Sequence, residues 1–354
     1  MLQTLELRHV RSYENGLFDF EPGVNIIVGP NASGKTNLLE AISMITTGAS
    51  FRSSDGDMIA HGASWARIDA LLDGVERSVK LRGGSGAKSY LLDGVEKKRV
   101  SEAFTYPTVL FEPYDILLLG GEPERRRTYI DRLLSQLDAT YRLSLQSYKR
   151  ALAQRNRLLK EPTCTPSDAF VWDMQLCEYA TTIVAARLKY VIENADLLTS
   201  LYQEISGGAD VLRVAYESRI HAENYSSSLL KTLAQSFERD RLRGFTGAGP
   251  HRDDLQISIN DHDVRTDASR GETRSTVLSL KVAEMRACEQ VFGKKPLLLL
   301  DDVFSELDGR RRRLLAHLLQ DSQTFITTTD ADVAIEHFGT LAHIIPLEGE
   351  GRRG

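Results

Sequence analysis

"VNIIVGPNASGKTNLLEAI" (residues 24–42) is the stretch from which the rest of the chain is read. A short apolar run, Val24 to Val28, ends in Gly29-Pro30-Asn31-Ala32-Ser33-Gly34-Lys35-Thr36, and a helical pattern follows. The octet fits G-x-x-x-x-G-K-[ST] in the strand-to-helix context that gives this pattern its meaning. Gly29 and Gly34 allow bends that turn successive backbone N–H groups inward, where phosphate oxygens bind. A helix beginning near Lys35 aims the positive end of its dipole at the same point. Lys35 is then placed to reach β- and γ-phosphates, and the Thr36 hydroxyl to ligate Mg²⁺. Gly29, Pro30, Asn31, Ala32, Ser33, Gly34, Lys35, Thr36 and Asn37 are the expected ATP-binding residues, with Mg²⁺ as the companion ion.

Far downstream, "KPLLLLDDVFSELD" (295–308) is an apolar run ending in two carboxylates. Four leucines suit a strand buried on both faces of a parallel sheet. Asp301 and Asp302 emerge at its C-terminal end, where nucleotide chemistry sits in such sheets. Asp301 is expected to hold Mg²⁺, directly or through water, and Asp302 to polarise the attacking water.

A second phosphate-like mouth lies in "TDASRGETRSTVLSLKVAEM" (266–285). Ser269 reads as a helix N-cap with Gly271 at the helix start, which by the same dipole argument makes an anion site. The helix beyond it, with Val277, Leu280, Lys281, Glu284 and Cys288, is expected to alternate apolar and polar faces.

The remaining sequence sets these motifs in an organisation. The first ~110 residues read as strands and turns, with hairpins at Asp73-Gly74 and Asp93-Gly94, pairs suited to tight turns. From Glu122 to about Glu204 the pattern is helical, with Ile130, Leu133, Leu134, Leu137, Tyr141, Leu145, Tyr148 and Leu152 at three- and four-residue steps. "EPTCTPSD" interrupts it. A second helical stretch follows, with Phe170, Leu176, Ile183, Leu188 and Val191 on one face, so the two make an antiparallel hairpin. The expected fold is α/β: an ATPase lobe of residues 1–111 plus 245–354 (lobe I), split by a helical arm-like lobe of 112–244 (lobe II).

The 354 residues are 42% hydrophobic and 26% charged, as in a folded globular chain. No apolar run approaches the ~18 residues of a membrane span. The N-terminal stretch lacks the apolar core of a signal peptide. Three cysteines, Cys164, Cys177 and Cys288, are too few and too odd for a disulfide framework. These features together imply a cytoplasmic protein with no membrane partner. A formal net charge of −5 leaves nucleic-acid binding to local basic clusters. Basic clusters occur at Lys97-Lys98-Arg99, Arg125-Arg126-Arg127 and Arg310 to Arg313; the first two are the candidate DNA contacts, and the alternative for 125–127 is that it ties the helical lobe to the head.

Phosphate loop, helical insert, S-x-G-[QE] helix, acidic strand and "SELD" turn follow one another in the order of the ABC-type ATPase head, a P-loop NTPase. More specific stretches are "SFRSSD", "VLFEP", "ERRRTYIDRLL", "QRNRLLK", "VWDMQL" and "FTGAGPHRDDL". With these, nearly the whole chain resembles the RecF family of bacterial DNA replication and repair proteins. The resemblance implies an ATP-dependent homodimer. In it Lys35 and Asp302 act on one nucleotide while Ser269 and Gly271 of the other copy face its γ-phosphate. It further implies binding to duplex and gapped DNA, largely independent of sequence, at single-strand/duplex junctions. RecO and RecR are implied as partners in loading RecA, and the ATPase as weak and DNA-stimulated.

Several positions depart from the family pattern. Glu272 stands where Gln is usual, the phosphate loop reads "NASGKT", and Tyr114 stands where an acidic residue is expected. Thr329 lies roughly where transporter ATPases carry a sensing His, and Asp302 is a methylene shorter than the usual glutamate. Both imply slow hydrolysis, suited to a timer. Thr329 and the two-helix insert argue against a transporter subunit. Arms of roughly 35 residues, ~50 Å at 1.5 Å per residue, are too short for a long coiled-coil SMC head.

Overall fold

A computed structural model describes residues 1–84, 86–98, 100–221, 223–304, 307–319, 321–330 and 342–348. Arg99 of the first basic cluster, and Ser305 and Glu306 of the "SELD" turn, lie outside these residues. In chain order the elements begin with β1 (Leu2–Val10), β2 (Tyr13–Asp19), β3 (Val24–Val28) and α1 (Lys35–Thr47). β4 (Trp65–Leu72), β5 (Val75–Arg82), β6 (Lys88–Leu92), β7 (Val95–Lys97) and β8 (Thr108–Phe111) follow. The helical stretch comprises α2 (Leu117–Gly120), α3 (Pro123–Leu137), α4 (Ala139–Leu158), α5 (Pro166–Glu193) and α6 (Ala195–Ser206). Next come β9 (Leu212–Glu217), α7 (Tyr225–Arg243), β10 (Asp254–Ile259), β11 (His262–Asp263) and α8 (Val264–Asp267). The chain continues through α9 (Arg270–Phe292), β12 (Leu297–Asp301), α10 (Gly309–Leu319), β13 (Thr324–Thr328) and β14 (His343–Pro346).

The chain forms two compact units, Met1–Tyr114 with Glu284–Gly354, and Asp115–Ala283. The first unit holds an antiparallel sheet ordered β2-β1-β4-β5-β6-β7 and a parallel sheet ordered β14-β3-β13-β12-β8. Helix α1 packs against strands of both sheets. Leu38, Leu39, Ile42 and Ile45 of α1 share one buried core with Leu5 and Leu7 of β1 and with Leu297, Leu299 and Phe325 of the parallel sheet. The two hairpins turn at Asp73-Gly74 and Asp93-Gly94, and all four residues have positive φ, as mirror-image tight turns require.

In the second unit β10 pairs with β9 and β11, and α4 and α7 both pack on α5. Its return boundary differs from the expected one. Residues 245–283 belong with the helices, because β10 pairs with β9 over Asp254 to Ile259 and α8 packs on α2 and β10. The helical stretches also divide further than their periodicity shows. The first breaks at Asp138 (φ −136°), whose carboxylate accepts from the Thr140 N–H and caps α4. The second breaks at Asn194 between α5 and α6. Phe170 is not on the buried face of α5: it is 52% exposed, and Ala169 and Asp173 point inward instead. Helix α9 does not alternate faces either. Leu280, Lys281, Glu284 and Cys288 are all buried, and Lys281 pairs with Asp115 at 3.5 Å.

The family-specific stretches "QRNRLLK" and "GPHRDDL" meet inside this unit. Arg155, fully buried, donates to Asp173 (2.5 Å), Asp240 (3.0 Å) and the Thr246 hydroxyl (2.9 Å). The Asn156 side chain accepts from both the N–H and the hydroxyl of Thr246. Arg187 donates to Asp131, Tyr141, Tyr216 and the Pro250 carbonyl. Tyr148 donates to His251 Nδ1 at 2.6 Å, so His251 Nε2 donates to the Thr246 carbonyl at 3.0 Å. Burial pushes the His251 imidazole down to about 4, which keeps it neutral in this arrangement. All three cysteines are free and buried.

Candidate functional site

The parallel sheet positions the first set of site residues. Strand β13 lies between β3 and β12, so two strand spacings, about 10 Å, separate those two strands, and the loop after β3 spans that gap to the acidic strand end. The register places Ile27, Thr327 and Asp301 in one row across the three strands. Beyond that row β3 opens into the loop. Ala32 and Gly34 take positive φ (66° and 95°), and α1 starts at Lys35 with Gly34 as its N-cap and no side-chain cap. The first-turn N–H groups of α1 therefore face the loop's concavity, as anion binding requires. Gly34 is needed twice over, for its φ and for space: a Cβ there would lie 2.9 Å from the Tyr13 hydroxyl.

Lys35 Nζ donates to the carbonyls of Gly29 (2.7 Å) and Pro30 (2.8 Å), which folds the side chain over its own loop. Burial lowers its pKa, while Asp302 and Asp301 act in the opposite direction, so the ammonium stands in the field of both carboxylates. Thr36 Oγ1 donates to both oxygens of Asp301, at 2.9 and 3.0 Å. Thr36 and Asp301 thus present oxygen ligands together at the foot of α1. A hydroxyl and one carboxylate, with the remaining positions left to phosphate and water, are the donor set Mg²⁺ takes in such sites. Ser33 Oγ, beside Gly29, is buried without a hydrogen-bond partner among the described residues, a polar atom within the loop that a phosphate oxygen would satisfy. These residues fit a nucleotide triphosphate with Mg²⁺.

Asp302 follows in a left-handed conformation (φ 50°) that turns the chain out of the strand. Its N–H donates to both the carbonyl (3.2 Å) and the hydroxyl (3.0 Å) of Thr327. The Thr327 hydroxyl in turn donates to Asp301 Oδ1 at 2.7 Å. Thr327, which the sequence does not single out, therefore fixes both aspartates, while Thr329, expected roughly at the sensing-His position, is exposed just past β13. The available signal was position: a hydroxyl at the C-terminal end of a strand adjacent to the acidic one. Three further braces were also missed. Tyr13 donates to the Gly34 carbonyl (3.1 Å) and Asn37 to Ser12 (2.9 Å), tying the β1–β2 turn to the loop. Fully buried Glu40 accepts from Arg11, Ser50 and Ser53, which accounts for the "SFRSSD" stretch.

The second mouth lies in the other unit. Ser269 Oγ accepts from the Glu272 N–H (3.3 Å), and Glu272 Oε2 accepts from the Ser269 N–H (2.7 Å), a reciprocal capping box. Ser269 is exposed at the start of α9, with Gly271 within the first turn. Glu272 thus has a local role that a glutamine side-chain oxygen also fills. Tyr114 is 69% exposed, and the neighbouring Asp115 is the carboxylate that pairs with Lys281. Of the basic clusters, Arg126 is buried in a bidentate pair with Asp254 (2.8 Å for each bond), and Arg127 donates to the Asp253 carbonyl. The structure thus removes Arg126 from the candidate DNA contacts. Lys97 and Lys98 are exposed, and Arg311 pairs with Asp308. No described helix is long and apolar enough to cross a membrane.

The sequence matches the RecF/RecN/SMC N terminal domain family over residues 1–348. A DNA replication and repair protein RecF from Agathobacter rectalis is 36% identical over 345 residues, covering 95% of this chain and 94% of that one. A solved structure described as the recombination mediator protein RecF-ATPrS in the RecFOR pathway has a TM-score of 0.87 at 31% identity, covering 99% and 98% of the two chains. A crystal structure of an Smc head bound to the C-winged helix domain of ScpA has a TM-score of 0.52 at 18% identity, covering 95% and 91%, a likeness of fold alone. With an ABC-type ATPase head fold and this match over nearly its whole length, the chain belongs to the RecF/RecN/SMC family and, within it, to the RecF DNA replication and repair proteins.

Proposed function

We propose that this chain is an ATP-gated DNA clamp of recombinational repair and replication restart. The observation that carries the reading is the Thr36–Asp301 hydrogen bond with Lys35 beside it, a phosphate and Mg²⁺ site assembled from the ends of two separate strands, β3 and β12. Residues Gly29 to Asn37 bind the triphosphate, and Thr36 and Asp301 hold Mg²⁺, which neutralises charge on the phosphates. Lys35 exchanges its loop carbonyls for phosphate oxygens. Asp302, held by Thr327, orients the attacking water. Ser269 and Gly271 of a second copy close on the γ-phosphate, so ATP joins two copies and hydrolysis releases them. The exposed Ser269 hydroxyl at a capped helix start supports that trans role.

The closed dimer grips gapped or duplex DNA mainly through phosphates. Slow, DNA-stimulated hydrolysis sets how long it stays. A solved relative of similar structure is described in the RecFOR pathway, which supports RecO and RecR as partners and RecA loading as the task. The lobe carrying the phosphate loop does the nucleotide work, and the cytoplasm is where this chemistry is placed. Sedimentation of the purified protein with ATP, Mg²⁺ and a gapped duplex tests nucleotide, self-association and DNA together. Light scattering on Ser269→Arg sharpens it. The variant binds ATP yet stays monomeric, and an unchanged ATP-dependent dimer removes the trans site.

A further inference from the structure

The C-terminal ends of α4 and α7 come together with the loop of residues 244–252, and cations collect there. Arg157 lies in the last turn of α4 and Lys160 just past it, Arg241 and Arg243 close α7, and Arg252 lies in the loop. Arg157, Lys160, Arg243 and Arg252 are exposed, and among the described residues none has a carboxylate partner. Proximity is fixed by contacts. A Cβ on Gly244 would lie 3.5 Å from the Lys160 side chain, Arg241 donates to the Pro162 carbonyl at 3.5 Å, and the Arg252 guanidinium stacks over Phe245 at 4.9 Å. Phe245 is 39% exposed and Leu242 86%. Of the nearby acids, Glu238 is taken by Arg241, Asp173 and Asp240 are buried against Arg155, Asp168 accepts from Thr165 in the cap of α5, and Glu161 is exposed beside Lys160, which leaves the cations in excess.

This surface is held rigid from beneath. Thr246 is the hub: Arg155 and Asn156 grip its hydroxyl and N–H, and its carbonyl accepts from His251 and Arg252. "QRNRLLK" and "GPHRDDL" therefore divide their labour. Arg155, Asn156 and His251 lock the loop from inside, Arg157 and Lys160 are exposed charges, and Arg252, also exposed, joins the lock through the Thr246 carbonyl. Cations at helix C-termini also complement the dipole. That effect does not explain Arg252 or the exposed aromatic ring between the charges.

We infer that this end of the helical unit is a nucleic-acid contact, in which Arg157, Lys160, Arg243 and Arg252 meet backbone phosphates and Phe245 lies against a base or sugar. The inference rests on the DNA-clamp reading and adds the contact residues that reading lacks. Several cations from three segments suit a row of evenly spaced phosphates, and an exposed ring among them suits a nucleotide face. The triple variant Arg157→Ala/Lys160→Ala/Arg243→Ala, which spares the Thr246 hub, is compared with the unaltered protein. Fluorescence anisotropy follows binding to a gapped duplex with ATP and Mg²⁺ across a salt series.

The variant is expected to bind at least tenfold more weakly at about 0.1 M salt, with the slope of log K against log salt reduced by about one per lost phosphate contact. ATP-dependent dimerisation stays as it was. Unchanged DNA affinity and slope overturn the inference, whether the melting temperature falls, as dipole partners require, or stays, as an acidic protein partner requires. If the unaltered protein fails to bind DNA, the clamp reading itself falls.

Discussion

The phosphate loop and the buried arginine cluster of the helical unit use similar side chains to opposite ends. Lys35 is partly exposed, and its ammonium rests on two carbonyls that a phosphate oxygen readily replaces. Arg155 is fully buried, and its partners are two carboxylates and a hydroxyl that nothing from solvent reaches. A cation whose partners are weak and accessible is placed for chemistry. One whose partners are charged and sealed is placed for shape. Both sit in stretches that mark the family, so a motif alone does not tell the two apart.

The largest expected effect breaks the sealed side. Arg155→Ala leaves Asp173 and Asp240 buried without their counter-charge, a loss of about 3–5 kcal/mol in unfolding free energy at pH 7.5. Burial already raises the Asp173 pKa, with Arg155 opposing it. A carboxyl raised in the folded state contributes stability below its unfolded pKa and loses it as pH rises through the folded value. Removing Arg155 raises that value further, so the deficit narrows as pH is lowered from 7.5 towards 5. Urea unfolding at the two pH values checks it. A deficit independent of pH means that lost packing, not the orphaned acids, is the cause.

That contrast also explains what the sequence disclosed. The placement of Gly29 to Thr36 and Asp301-Asp302 is legible because it is local: a loop, a helix start and a strand end each carry their own signal. The hairpins at Asp73-Gly74 and Asp93-Gly94 were legible for the same reason. Arg126 was read as a candidate DNA contact because its partner Asp254 is 128 residues away, and no local pattern reports that pairing. Helix α9 was read as two-faced because Lys281 and Glu284 are charged, though burial depends on neighbours from elsewhere in the chain. The boundary at 245 was misplaced because strand pairing between β9 and β10 is likewise non-local.

On the accessible side, Lys35→Met is expected to lower ATP affinity by about 100-fold, roughly 2.7 kcal/mol. Its melting temperature should stay near that of the unaltered protein, because the lost bonds are to loop carbonyls at the surface. Calorimetric titration with ATP and a thermal melt separate the two. A variant that melts much earlier makes Lys35 a structural residue like Arg155 and erases the contrast.

Thr327 lies between the two extremes, buried like Arg155 yet touching the acidic pair directly. In Thr327→Val, Asp301 loses a donor and the Asp302 N–H loses the hydroxyl while keeping the Thr327 carbonyl. Nothing large is exposed, so stability changes little. Asp301 is freer to turn from Thr36, and the Mg²⁺ concentration needed for half-maximal tightening of nucleotide binding rises about tenfold, the usual effect of removing a partner that orients a metal ligand. Binding of nucleotide without Mg²⁺ stays the same. Thr327→Ser, which keeps the hydroxyl, restores the metal dependence. If serine and valine behave alike, the methyl packing of Thr327 is what matters, and its hydroxyl does not orient the aspartates.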